Sequence, residues 1–170
     1  MSAEKFDPVD RPAPEGPRRW VFLVLATGFG LGYSPVASGT VGTLLGVILV
    51  ALIELSAGLA VELVAVLALT LLAIPVCHGA EAIFARKDDG RIVADEYMTF
   101  PVSMLGLPFS PAVVVIAFLS NRFFDILKPP PARALQRIEG GVGVVIDDVI
   151  AALYSLAVNH LVYWNFLHPV

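Results

Sequence analysis

The sequence predicts an all-α, membrane-embedded helical bundle with broken and half-length helices, its active site at the cytoplasmic end. Three observations predict it. The 170-residue chain is 57% hydrophobic and only 15% charged, with a mean hydropathy of +0.80, a composition suited to lipid. Its bases are bunched, with no Lys or Arg between Trp20 and Ala85, between Ile92 and Asn121, or after Arg137. Several apolar runs are also broken by Gly and Pro into pieces too short to cross a bilayer, which takes about 20 uninterrupted residues.

Residues 1–19 carry mixed charges and four prolines, without the basic-then-apolar layout of a secretory signal; they are expected to form a mobile polar tail. Residues 20–170 then form a single domain, because the length suits one core and not two. After Trp20 a short apolar stretch breaks at "GFGLGYSPVASGTVGT", and a helix is expected from about Gly39 to Leu55. The chain turns at "SAGLA", and Ala60 to Ala85 reads as a long helix broken or kinked at Pro75. The charged loop "RKDDGRIVADE" follows. "YMTFPVSMLGLPFSPAVVVIAFLS", with four Pro or Gly interruptions, reads as two half-length helices joined by a turn. Three prolines stop the second half at "NRFFDILKPPP", a short amphipathic piece follows around "ARALQRI", and a long final helix opens at "GGVG" and closes with aromatic residues.

The bases give this order a direction. Under the positive-inside rule the N-terminal segment, "RKDDGR" and the stretch from Arg122 to Arg137 face the cytoplasm, while the turn near Ser56 and the C-terminus face outward. The half-helix pair must dip into the membrane and return. This topology collects Asp88, Asp89, Asp95, Glu96, Asp125, Asp147 and Asp148 at one end. A net charge of -4 with no dense basic patch argues against nucleic acid as a partner. The single Cys77 forms no internal disulfide and builds no metal site by itself; it reads as packing.

Each acidic pair has an ordinary structural explanation. Asp95 and Glu96 suit the first turn of a helix, and Arg122, Asp125 and Lys128 suit an i,i+3 ion-pair ladder worth a few tenths of a kcal/mol per exposed pair. Asp147 and Asp148 are harder to explain away. They lie between "VVI" and "VIAAL", where a charge near hydrocarbon costs about 2.5–3.5 kcal/mol. Gathered together, these carboxylates exceed what Arg122 and Lys128 can balance, and two like charges about 4 Å apart repel by about 4 kcal/mol at an effective dielectric of 20. A hard divalent cation relieves this. Oxygen ligands without His or Cys favour Mg²⁺ or Mn²⁺, and an Arg fork with a Lys point charge suits phosphoryl oxygens. The residues point to Mg²⁺-dependent phosphoryl chemistry at a membrane surface.

The segment 28–43 reads equally as a small-residue packing region or as an anion cradle at a helix start, using Ser34, Ser38, Gly39, Thr40 and Thr43. It is not a P-loop, because no Lys follows the glycines. His78, His160 and His168 have no metal-ligand spacing and read as structural. Tyr163, Trp164 and Phe166 read as an interfacial aromatic belt on the outer side.

Three stretches in order, "GLGYSPVASGTVGT", "DDGRIVADE" with "NRFFDILKPPP", and "GGVGVVIDDVIA", resemble the phosphatidylglycerophosphatase A family. The resemblance implies a largely helical, membrane-embedded, Mg²⁺-dependent phosphatase that converts phosphatidylglycerophosphate to phosphatidylglycerol. By position it picks out Asp89 at the start of "D-x-x-I-V-x-D-E", Asp95 and Glu96 at its end, Arg122, Asp125 and Lys128, and Asp147 and Asp148. Two positions depart from the family pattern: Gly90 stands where proline is common, and Ser38 stands where proline often precedes "GT".

The expected function is therefore hydrolysis of a lipid phosphomonoester at the cytoplasmic face of the inner membrane. Asp89, Asp95, Glu96, Asp147 and Asp148 are the candidate Mg²⁺ ligands. Arg122 and Lys128 would stabilise phosphoryl charge, with Asp125 orienting them or serving as base. Direct attack by water is the favoured route and an aspartyl-phosphate the minor one. Two other readings compete: a non-enzymatic membrane carrier of a divalent cation or anionic metabolite, and a soluble helical phosphatase whose apolar runs are core.

Overall fold

The computed structural model describes residues 9–55 and 58–168. Among these the chain is helical, with no strand: α1 (Pro17–Ala26), α2 (Ser38–Glu54), α3 (Leu59–Phe84), α4 (Ala94–Thr99), α5 (Pro111–Leu127), α6 (Ala132–Leu135) and α7 (Gly141–Val162). Tight 3₁₀ turns at Leu31–Tyr33 and Phe100–Met104 and a π-helical turn at Tyr163–Leu167 complete it. The turn expected near Ser56 lies outside the described residues.

α3 is 26 residues long, or about 39 Å at 1.5 Å per residue, long enough to cross a bilayer. It runs uninterrupted through Pro75, so of the expected break or kink there the break does not occur. Its outward face is greasy: Val64 is 68% exposed, Leu67 59% and Leu71 56%. Water would penalise such a belt and lipid would not, which argues against the soluble-core alternative. α7 and its π-helical extension form a second apolar helix of spanning length. Trp164 and Phe166 are exposed at its far end, with His168 stacked on Trp164.

The expected pair of pieces is present but unequal, since α5 has 17 residues and α4 only six. Helix α4 and the 3₁₀ turn Phe100–Met104 enter the bundle, and α5 leaves it, starting with Pro111 in its first turn and Ser110 accepting the N–H of Val113. This hairpin fills the space between the long helices. Near the charged end Val93, Tyr97 and Met98 pack on Cys77, Ala80, Val144 and Val145; deeper, Phe100, Met104 and Leu107 meet Val113 and Ala117. The hairpin is tied to α7 by a buried polar chain. Ser120 lies 2.6 Å from Ser155 and donates to Asn159 at 3.1 Å, while Asn159 donates to the Ser103 carbonyl at 2.7 Å. Buried hydroxyl and amide groups satisfied across helices are a normal means of joining helices in lipid.

The boundary expected at Trp20 falls inside α1. The described residues ahead of it are attached to the bundle: Val9 donates its N–H to the Ala85 carbonyl, and Arg11 pairs with Glu81 and His78 of α3. An ion pair with a buried acid holds this stretch, which composition alone marks as loose.

Candidate active site

Four elements converge at the charged end of the bundle. α4 supplies Asp95 and Glu96, because Val93 and Ala94 are fully buried and anchor the helix start between α2, α3 and α7. The buried stripe of α5, Val113, Ala117 and Asn121, continues at helical spacing to Asp125, and Lys128 follows as the left-handed cap of the helix. α7 supplies the buried Asp147 and Asp148. The loop before α4 supplies Asp88.

Arg122 is the hub. Its Nη1 lies 2.8 Å from Asp125 Oδ2 and 3.8 Å from Glu96 Oε1, and donates to Thr43 Oγ1 at 3.3 Å. One guanidinium thus joins α2, α4 and α5. Lys128 does not continue the ladder on its own helix; its Nζ donates to Asp147 Oδ2 at 2.6 Å across to α7. The "NRFFDILK" segment therefore carries one base near its start and one at its end, and the two reach different neighbouring helices, with Asp125 steadying the first.

The carboxylates remain crowded after both bases are used. Asp95 is pushed well above the usual carboxylate range, chiefly by burial and then by the charges of Glu96, Asp88 and Asp147. Burial also raises Glu96 to about 8; Arg122 opposes the rise, and Asp125, Asp88 and Asp147 add to it. Several polar atoms here are buried without a hydrogen-bond partner: Asp95 Oδ1, Glu96 Oε2, Asp147 Oδ1, Asn121 Oδ1 and Arg122 Nε. Buried polar atoms are normally satisfied. Unpaired carboxylate oxygens suit a cation, and an unpaired guanidinium N–H suits an anion. Among the described residues no three His, Cys, Asp or Glu side chains form a ready-made metal cage.

Of the acids singled out by sequence, Asp95, Glu96, Asp125, Asp147 and Asp148 act on one another here. Asp89 is held elsewhere. Its Oδ1 accepts from Arg91 Nε at 2.7 Å and its Oδ2 from Nη2 at 2.9 Å. Burial alone would raise its pKa, and the Arg91 hydrogen bonds outweigh it, leaving Asp89 below the usual range. It is the preceding residue, Asp88, whose charge bears on Asp95, Glu96, Asp147 and Lys128. The charge topology groups both residues; only the backbone, which turns left-handed at Asp88 (φ 49°), separates their roles. Asn121 is a further neighbour that sequence reasoning passes over, because a lone Asn within an apolar helix carries no motif.

The segment 28–43 packs against this group. A Cβ at Gly39 would lie 1.9 Å from Glu96 Oε1 and 3.1 Å from Arg122 Nη2, so only glycine lets the first turn of α2 approach the pair this closely. The hydroxyls are largely engaged: Ser38 donates to the Gly90 carbonyl at 2.7 Å, Ser34 to the Val36 carbonyl at 2.9 Å, and Thr43 to the Gly39 carbonyl at 2.9 Å. Thr40 is half-buried on that same first turn.

No solved structure matches this chain. Among characterised sequences, a phosphatidylglycerophosphatase A of Haemophilus influenzae is 38% identical over 83% of this chain and 88% of its own length. The phosphatidylglycerophosphatase A of Escherichia coli is 31% identical, covering 82% and 81%. A Bacteroides thetaiotaomicron protein, provisionally named a phosphatidylinositol-3-phosphatase, is 34% identical, covering 84% and 93%. The profile of the phosphatidylglycerophosphatase A family matches residues 24–163, a span that contains every residue of the charged group. With relatives this similar along most of its length, the chain belongs to the phosphatidylglycerophosphatase A family.

Proposed function

We propose that this protein is a Mg²⁺-dependent lipid phosphatase of the cytoplasmic membrane, hydrolysing the terminal phosphomonoester of phosphatidylglycerophosphate to phosphatidylglycerol and inorganic phosphate. The observation that carries the proposal is the juxtaposition of buried, unpartnered carboxylate oxygens on Asp95, Glu96 and Asp147 with the unpartnered Nε of Arg122. One set wants a cation and the other an anion, as a metal-assisted phosphate site requires. The names of the Haemophilus and Escherichia relatives supply the substrate.

Asp95, Glu96, Asp147 and Asp148 would hold Mg²⁺, with Asp88 close by. An ion completed by water and substrate phosphate needs only one or two carboxylates, so a full protein cage is not required. Bound there, Mg²⁺ would offset phosphoryl charge and make a bound water more acidic. Arg122 presents its fork to the phosphoryl oxygens, and Asp125 fixes the fork's orientation. Lys128 adds a point charge at the edge facing α7. A carboxylate of the group takes the proton as the water oxygen bonds to phosphorus; the bond from phosphorus to the glycerol oxygen breaks, and that oxygen is protonated. The first turn of α2, drawn close to Glu96 and Arg122 at Gly39, would border the phosphate. The acyl chains lie along the hairpin, within the apolar belt.

The test is phosphate release from phosphatidylglycerophosphate by purified protein in detergent, with Mg²⁺ and then with excess chelator. Phosphatidylinositol 3-phosphate serves as the competing substrate. Release that requires Mg²⁺ and favours the glycerol headgroup is expected. Release that survives chelation would remove the metal, and none from folded protein would bring forward the carrier alternative.

A further inference from the structure

Glu81 is a buried carboxylate outside the charged group. It lies on α3 three residues before the helix ends, with no exposed surface. Arg11 donates to its Oε2, and its Oε1 accepts the backbone N–H of Asp88 at 3.1 Å. Its own carbonyl accepts the N–H groups of Ala85 and Arg86. Glu81 therefore holds the start of the loop that turns from α3 toward the site at three backbone N–H groups, those of Ala85, Arg86 and Asp88. The loop needs holding: Ala85 and Asp88 both adopt left-handed backbone (φ 52° and 49°), a conformation that L-residues keep only when their surroundings impose it.

The clamp on Glu81 is tightly packed. A Cβ at Gly140 would lie 2.7 Å from His78 Nδ1 and 3.2 Å from Arg11 Nη1, and Arg11 also bonds His78. On its other side Asp88 is steadied by Gln136, whose Nε2 donates to Oδ2 at 2.9 Å. An acid whose only duty was to fill space here would be poorly chosen, because well-packed apolar residues are as stable in buried sites as ion pairs. The acid contributes what a hydrocarbon cannot, an acceptor aimed at the Asp88 N–H.

We infer that Glu81, clamped by Arg11, is a positioning residue that sets Asp88 against Asp95, Glu96, Asp147 and Lys128. The inference rests on reading that group as the reacting centre. Arg11 lies ahead of α1, so its attachment to α3 bears on turnover through Glu81 and Asp88.

The experiment compares wild type with Glu81→Leu, which fills the space without an acceptor, and Glu81→Gln, which keeps an acceptor for the Asp88 N–H. Each is purified in detergent and measured for kcat, for KM, and for amide hydrogen exchange across residues 85–91. Glu81→Leu is expected to lower kcat about tenfold or more with KM within about twofold, since small misplacements at a reacting centre carry losses of this order, and to speed exchange in that segment. Glu81→Gln should restore most of both. Arg11→Ala, altering a partly exposed side chain, covers the case in which Glu81→Leu fails to fold and should speed exchange in the same segment. Folded Glu81→Leu with wild-type exchange and wild-type kcat would overturn the inference. Absence of turnover in wild type would instead sink the functional reading, and exchange alone would then decide whether Glu81 holds the loop.

Discussion

Lys128 and Asp147 meet across two helices, Nζ to Oδ2 at 2.6 Å. The contact exists because α5 cannot continue: Lys128 turns left-handed (φ 48°) ahead of three consecutive prolines, which sends its side chain toward α7 and away from Asp125. Asp147 is almost wholly buried and Lys128 about a quarter exposed. Removing either partner leaves a charge in a poor environment, which for fully buried pairs costs about 3–5 kcal/mol and here, with Lys128 partly solvated, about 1–3 kcal/mol. Lys128→Met and Asp147→Asn should each lower the thermal midpoint in detergent, and the double variant should lose less than the sum. Strict additivity in that double-mutant cycle would show that the pair is not coupled.

Asp148 is buried on α7 beside Asp147 and feels Asp125, Asp95, Asp147 and Glu96. Asn at this position keeps the shape and removes the charge. Asp148→Asn should lower turnover by about 10³-fold or more, the scale on which a group acting directly on transition-state charge is lost, while the protein keeps its elution volume and melting behaviour. Wild-type turnover by the variant would take Asp148 out of the site.

The adjacent acids Asp88 and Asp89 should separate cleanly. Asp88→Asn is expected to reduce kcat by about 10²-fold with little change in stability, since Asp88 is exposed and faces the charged group. Asp89→Asn should do the reverse: it breaks the two-point contact with Arg91, whose guanidinium also lies 3.9 Å over the Phe84 ring, and should lower the melting midpoint with a smaller effect on kcat. Equal loss of kcat in both would mean that the loop acts as one unit.

The charge topology groups Asp88 with Asp89 and the resemblance singles out Asp89, whereas the fold commits Asp89 to Arg91. Helix positions follow from periodicity and from breakers such as Pro111 and the prolines after Lys128, so α2 and α3 lie within a residue of their expected limits, α5 stops ahead of the prolines, and α7 opens at the expected glycines but gives way to a π-helical turn at Tyr163. Within a helix, direction is set by 3.6-residue geometry, which makes Asp125, Asp147 and Asp148 legible. A loop has no such period. Which of the two acids bears on the charged group depends on the left-handed turn at Asp88 and on the Glu81 acceptor seven residues earlier, and neither leaves a pattern in the sequence. The docking of Arg11 is hidden for the same reason: a base in a proline-rich stretch reads as solvated until its buried partner is seen.

The orientation of the site can be tested without any assay of turnover. Cys77 is the single cysteine and is fully buried in the core, so a Cys77→Ala background should fold and accept new labelling sites. Glu139 and Asn165 are both exposed, the first between α6 and α7 beside the charged end and the second on the π-helical turn at the far end of α7. With the bases at the charged end facing the cytoplasm, Glu139→Cys should react with a membrane-impermeant maleimide in inverted vesicles and resist it in intact cells. Asn165→Cys should do the opposite. Labelling of Glu139→Cys from outside intact cells would invert the topology and place the carboxylate group, and any substrate it binds, on the outer leaflet.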